Sequence, residues 1–214
     1  MTNDILALIL VLLMISSIFL MSTSRLGALI RTVGIQGLFL GLVPFLNHEP
    51  LSNLHTWILG ILGVAVKGIA IPLLLFRALR GVSKSKEMEP YVGYVTSIFI
   101  GVLFVVVSYG VYTVMLHHPL FSSPMIPASI TLALCGLFLI VARKQALTQI
   151  IGYLVFENGI YLFGLSLAVK SPLLVELGIL LDVLVGVFVM GIVIYHINRE
   201  FDSISTQALG TLRE

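Results

Sequence analysis

Charge is what this 214-residue chain has least of: Asp, Glu, Lys and Arg together make up only 10% of it. An ordinary soluble domain carries about a quarter, so no solvated domain of usual composition fits. Cysteine is scarcer still. The single Cys135 lies within an apolar block, which leaves no disulfide framework and no thiolate cluster for an iron–sulfur or zinc centre. Any redox centre would have to lie elsewhere. No segment shows the alternating polarity of a barrel strand. The basic residues form no face for phosphates, so nucleic-acid binding is set aside despite a net charge of +2.

What the chain has in excess is hydrocarbon, with 58% hydrophobic residues and a mean hydropathy of +1.11. The apolar residues fall into blocks of roughly 20, the length a helix needs to cross about 30 Å of lipid. Backbone groups in lipid must be paired within their own segment, so an all-α membrane protein is expected. Seven spans are read near 3–22, 28–46, 56–79, 92–115, 124–142, 147–169 and 173–197. The first follows Met1-Thr-Asn-Asp4, with no basic n-region and no small-residue cleavage site, and reads as a retained helix.

Orientation follows from the Lys and Arg residues. Arg25, Arg31, Arg77, Arg80, Lys84, Lys86, Arg143, Lys144, Arg199 and Arg213 all fall on one side of a seven-span chain, and only Lys170 on the other. The positive-inside bias places the C-terminus in the cytoplasm and the N-terminus outside. The location expected is a prokaryotic cytoplasmic membrane, with the lipid bilayer as the surroundings of every span.

An offset of 118 residues superimposes Arg25 on Arg143, Gly34 on Gly152, Gly41 on Gly159, Leu59-Gly-Ile-Leu62 on Leu177-Gly-Ile-Leu180 and Gly68 on Gly186. Spans 1–3 and 5–7 thus read as two parallel three-helix repeats joined by a connecting helix. The expected organisation is a first repeat at 1–90, the connecting span at 91–120, a second repeat at 121–200 and a cytoplasmic tail at 201–214.

An ionisable residue near a helix centre costs at least about 2.5–3.5 kcal/mol on insertion scales, which marks it for a role. Glu157 lies midway along span 6, Asp182 in the middle third of span 7 and Lys67 within span 3, while Glu176 is shallower, in the first turns of span 7. Burial raises a carboxyl pKa and a nearby cation lowers it, and Lys67 is the only basic residue deep enough to supply that cation. Two uses are open for the acids: a proton relay, or protonated glue between helices. Pro72, five residues after Lys67, frees a backbone carbonyl and kinks or curves its helix. His48, His117 and His118 fall in outer loops and His55 and His196 near span ends, without further ligands at metal-binding spacing. Trp57 and Tyr91 suit membrane–water interfaces.

Two stretches carry a resemblance. Arg143-Lys-Gln-Ala-Leu-Thr-Gln-Ile-Ile-Gly152-Tyr-Leu-Val-Phe-Glu157-Asn158-Gly, followed by Leu174-Val-Glu176-Leu-Gly-Ile-Leu-Leu-Asp182, resembles the hydrogenase-4 component E family, membrane subunits of group 4 nickel–iron hydrogenase complexes. Val66-Lys67-Gly-Ile-Ala-Ile-Pro72-Leu resembles that family's third helix, so the likeness extends over essentially the whole chain. Spans 5–7 are also similar to the K-type subunit of respiratory complex I, through Arg143-Lys144, Ile151-Gly152 and Asn158. Asp182 occupies the position of that subunit's second essential glutamate. The first would fall on Leu154, and here the acid stands one turn later, at Glu157.

The resemblance implies a non-catalytic subunit of an oxidoreductase complex, in which redox chemistry drives protons or cations through a membrane arm. This chain would bind no cofactor, and nickel–iron and iron–sulfur centres would sit in partner subunits. Its partners would be antiporter-like and other membrane-arm subunits, with soluble hydrogenase and iron–sulfur subunits. Glu157 and Asp182 would bind and release protons, Lys67 would tune them, and Glu176 would lie near the outer exit. The alternatives are a free-standing secondary transporter and a purely structural membrane anchor of the complex.

Overall fold

A computed structural model describes residues 2–46, 60–80, 90–116, 123–167, 186–187 and 189–191. The described residues are almost entirely helical. Six helices are long and apolar enough to cross a membrane: α1 (Asn3–Ser22), α2 (Leu26–Leu46), α3 (Gly60–Leu79), α4 (Tyr94–Met115), α5 (Met125–Ala142) and α6 (Ala146–Leu167). They match the first six expected spans, with ends displaced by up to about four residues, as boundaries read from hydropathy commonly are. The seventh expected span, 173–197, lies outside the described residues except for helical positions 186–187 and 189–191.

Local chemistry sets the turns. Pro124 precedes α5, where its fixed φ and missing N–H suit a helix start. The Ser123 hydroxyl accepts the Met125 N–H at 3.3 Å, and the Ser123 carbonyl accepts that of Ile126 at 3.2 Å. α5 ends where Arg143 turns extended, at φ −107° and ψ 142°. The short link to α6 is seated against neighbouring chain ends. Arg143 is fully buried, donates to the Met21 carbonyl at the end of α1, and lays its guanidinium 4.7 Å from the Tyr94 ring. Lys144 lies 4.8 Å over the Tyr91 ring, and the Tyr91 N–H donates to the Ala142 carbonyl at 3.0 Å. The paired basic residues thus tie the ends of α1, α4 and α5 together.

Helix–helix contact relies on close backbone approach, since lipid supplies no hydrophobic drive between helices. α5 and α6 are the tightest pair. A Cβ on Gly136 would lie 2.6 Å from the Phe156 Cα and 2.7 Å from the Gly152 carbonyl oxygen. One on Gly159 would lie 2.6 Å from the Ala133 nitrogen. The landmark glycines of the 118-residue offset meet different neighbours in the two halves: Gly34 and Gly41 face α3, whereas Gly152 and Gly159 face α5. α4 is the outlying helix, with Val95, Phe99, Val102, Val106 and Val114 all exposed. It is held by Gly101 against Ile18 and Met21, by an edge-on Phe104–Phe138 pair at 6.2 Å, and by a 2.7 Å Ser108–Thr131 hydroxyl bond.

The core has two apolar halves. One gathers Leu20, Leu29, Val33, Leu75, Leu139 and Ile151, towards the side of the basic loops. The other gathers Leu6, Leu10, Leu40, Val43, Leu132 and Leu162. On α1, α2 and α6 the polar residues between the halves are Ser16-Ser17, Gln36 and Glu157-Asn158, so a polar layer lies near mid-depth.

Gly136→Val is expected to lower stability in detergent micelles by about 1–3 kcal/mol, because backbone rather than side-chain ends must yield. Gly110→Ala, on the open face of α4 with nothing within 4 Å of its Cβ, is expected to stay within about 0.5 kcal/mol. Thermal unfolding of the two purified variants side by side checks the contrast.

Candidate functional site

Lys67 and Glu157 meet in this polar layer. Lys67 is the eighth residue of α3 and Glu157 the twelfth of α6, 90 positions apart in the chain. The Lys67 Nζ donates to Glu157 Oε1 in an ion pair whose side chains are 4% and 0% exposed. Tyr161, one turn after Glu157 and itself buried, places its ring centroid 5.4 Å from the Lys67 Nζ.

The backbone of α3 is reset around Lys67. Residues Val64–Ala70 form a π-helical segment, and the Ile71 N–H reaches back five residues to the Val66 carbonyl. Pro72, which has no N–H, follows at once and rests against α2, where a Cβ on Gly34 would lie 2.9 Å from its Cγ. π-turns of this kind occur mostly as single irregularities and often at functional sites. α2 can approach the irregular turn because it presents glycine there: a Cβ on Gly37 would lie 2.5 Å from both the carbonyl carbon and oxygen of Lys67. The expected irregularity at Pro72 is therefore present as a π-turn immediately before it.

Magnitudes show what such a pair can do. Carrying two charges to mid-membrane costs about 5–7 kcal/mol, while their attraction at contact is about 4 kcal/mol at the effective dielectric that describes real proteins. The cation–π contact adds about 0.5–2 kcal/mol. The sum lies near zero, so the two charges are tolerated at this depth together, whereas either alone would carry its full insertion cost.

A second polar contact lies at the same depth. Gln36, fully buried on α2, donates from Nε2 to the hydroxyls of Ser16 at 2.8 Å and Ser17 at 3.0 Å on α1. Both hydroxyls donate onward to the Leu13 carbonyl, at 2.8 and 2.9 Å.

Of the four acidic and basic positions singled out in the sequence, Glu157 and Lys67 are brought together, while Asp182 and Glu176 lie outside the described residues. Tyr161, Gln36 and the two serines were not legible as site residues. The i+4 spacing from Glu157 is the one signal that points to Tyr161. Among the described residues, no group of three or more His, Cys, Asp or Glu could hold a metal ion.

A double-mutant cycle on Lys67→Met and Glu157→Gln is expected to give a coupling energy of about 0.5–3 kcal/mol in thermal unfolding of the purified protein. Strictly additive losses would contradict a direct interaction.

Comparison with known proteins reaches two relatives of interest. The chain is 28% identical over 204 residues to an uncharacterised protein of Mycobacterium tuberculosis, Rv0085, covering 94% of this chain and 93% of the relative. It is 28% identical over 148 residues to hydrogenase-4 component E of Escherichia coli K12, covering 69% of this chain and 68% of the relative. No family model matches, and no solved structure matches. The distant similarity to hydrogenase-4 component E supports the family to which the motifs around Glu157 and Lys67 point, and with the six apolar helices it supports a membrane location.

Proposed function

We propose that this chain is a membrane-arm subunit of a hydrogenase complex related to complex I, and that its intramembrane acids carry protons or cations coupled to redox chemistry in partner subunits. The observation that carries this reading is the buried Lys67–Glu157 pair, set in a polar layer between two apolar halves of the core. The name of the relative, hydrogenase-4 component E, supplies the complex. Glue between helices requires polar contacts, but it does not require full charges, each of which adds to the cost of insertion.

In this reading Glu157 binds and releases a proton, Lys67 sets its affinity, Asp182 provides a second site on the seventh span, and Glu176 lies near the outer exit. A proton arriving at Glu157 discharges the carboxylate and releases the Lys67 ammonium from its partner. The charge of Lys67 is then free to favour ionisation of the next acid. The chain in this reading has seven spans in two three-helix repeats, and Lys67, the deep charge read in the first, is the partner of Glu157 in the second. The N-terminus lies outside and the C-terminus in the cytoplasm. The chain itself holds no cofactor; nickel–iron and iron–sulfur centres reside in soluble partners, and antiporter-like subunits continue the path within the membrane.

A C-terminally tagged chain extracted in mild detergent is expected to co-purify stoichiometrically with antiporter-like membrane subunits and with iron–sulfur and nickel–iron proteins. Recovery as a single species would contradict the subunit reading and favour a free-standing transporter. In the assembled complex, Glu157→Gln and Asp182→Asn are expected to lower redox-driven proton translocation by about a hundredfold or more while the redox reaction and assembly persist. Reduced assembly with coupling intact in what remains would instead identify the acids as structural anchors.

A further inference from the structure

Gln36 poses a separate problem. Its side chain is fully buried, its Nε2 is engaged by Ser16 and Ser17, and its Oε1 has no hydrogen-bond donor within the described protein. A buried amide oxygen left dry is destabilising, and exchanging the amide's two ends would only move the problem to the nitrogen. The serines offer no donor, because each hydroxyl proton is directed to the Leu13 carbonyl. Each serine oxygen nevertheless keeps acceptor capacity beside the amide. Orphaned buried polar groups with several acceptors about them are where proteins hold internal water.

The position of Gln36 gives that water a use. On α3, Lys67 meets Gly37 of α2 and Glu157 of α6. One turn earlier, a Cβ on Gly63 would lie 3.5 Å from the Gly41 Cα and 3.8 Å from the Tyr161 hydroxyl. Each step of four residues on α2 is therefore matched by a step of four on α6, so the two helices run the same way and 37 is level with 157. Gln36 is the neighbouring residue on α2, about 1.5 Å along the axis and about 100° round it from Gly37, so it stands at the ion-pair level while its amide meets Ser17 and the partly exposed Ser16 of α1.

We propose that Gln36, with Ser16 and Ser17, forms a buried water-binding site at mid-membrane, and that its water delivers protons to Glu157 from the α1 side of the bundle. This rests on the relay reading given above for Glu157. The water keeps one hydrogen on Gln36 Oε1, takes a proton from solvent water on the α1 side and gives its other hydrogen to the Glu157 carboxylate, so one O–H bond forms as another breaks and the water is left intact. The amide fixes the water without titrating, which keeps the site indifferent to pH while the carboxylate beyond it is not.

The test uses the assembled complex in two readouts. Radiolytic hydroxyl labelling in oxygen-isotope-enriched water, read by mass spectrometry, is expected to mark the segment 13–17 in the wild type and to lose that mark in Gln36→Leu. In the same Gln36→Leu complex, redox-driven proton translocation is expected to fall about tenfold or more with the redox rate retained. Ser17→Ala, which removes one acceptor and leaves Gln36 in place, is expected to weaken the label. An unlabelled segment in the wild type, which needs no variant to assemble, overturns the proposal. So does a labelled segment with full translocation in Gln36→Leu, provided that Glu157→Gln abolishes translocation in the same assay. Full translocation in Glu157→Gln overturns the relay reading itself, and with it delivery to Glu157.

Discussion

A lysine and a glutamate that must both sit in hydrocarbon have to find each other, and the rest of this bundle is arranged around that requirement. α3 and α6 supply the two charges from positions 90 residues apart. α2 brings Gly37 against the Lys67 backbone so that α3 can take up its π-turn there. α5 and α6 come into backbone contact at Gly136 and Gly159, which fixes the helix that carries Glu157. A side chain at Gly37 would press directly on the Lys67 backbone, and one at Gly136 or Gly159 would part α5 from α6. The division of the core into two halves follows from the same requirement, because polar groups exclude apolar packing at their own depth.

The cancellation of terms explains why the two charges occur together: either ion alone would bear its full insertion cost, and removing one partner would leave the other buried and unpaired. Among the described residues the pair is bordered by the Tyr161 ring, 5.4 Å from the Lys67 Nζ. The exposed flank of α4 leaves a long apolar face available to lipid or to neighbouring subunits.

Much of this was written plainly in the sequence, for physical reasons. Apolar blocks of helix length have one reading in lipid, so six helices were found within a few residues of their ends. Glu157 and Lys67 stood out because a charge at mid-membrane is costly enough to be noticed. That they would touch was legible only by elimination, since Lys67 was the one cation at depth. Gln36 escaped notice because a neutral amide among Ile35 and Gly37 is far less costly than a charge, and its importance comes from an unsatisfied oxygen that only the packing reveals. Tyr161 reads as one more aromatic on an apolar helix. The π-turn was foreshadowed by Pro72, yet its form depends on how close α2 comes, which no single helix's sequence records. Arg143 was read as a topological charge, and its burial against Met21 and Tyr94 depends on where three chain ends converge.

The most direct measurement of the central claim is infrared difference spectroscopy of the assembled complex in membranes during redox turnover, following the C=O stretch of protonated carboxyl groups. If Glu157 binds and releases a proton as proposed, a carboxyl band appears and decays with turnover, shifts in deuterated water and is absent in Glu157→Gln. A spectrum without such a band, or with one that Glu157→Gln leaves unchanged, would mean that Glu157 never changes its protonation state and that the pair only holds α3 to α6.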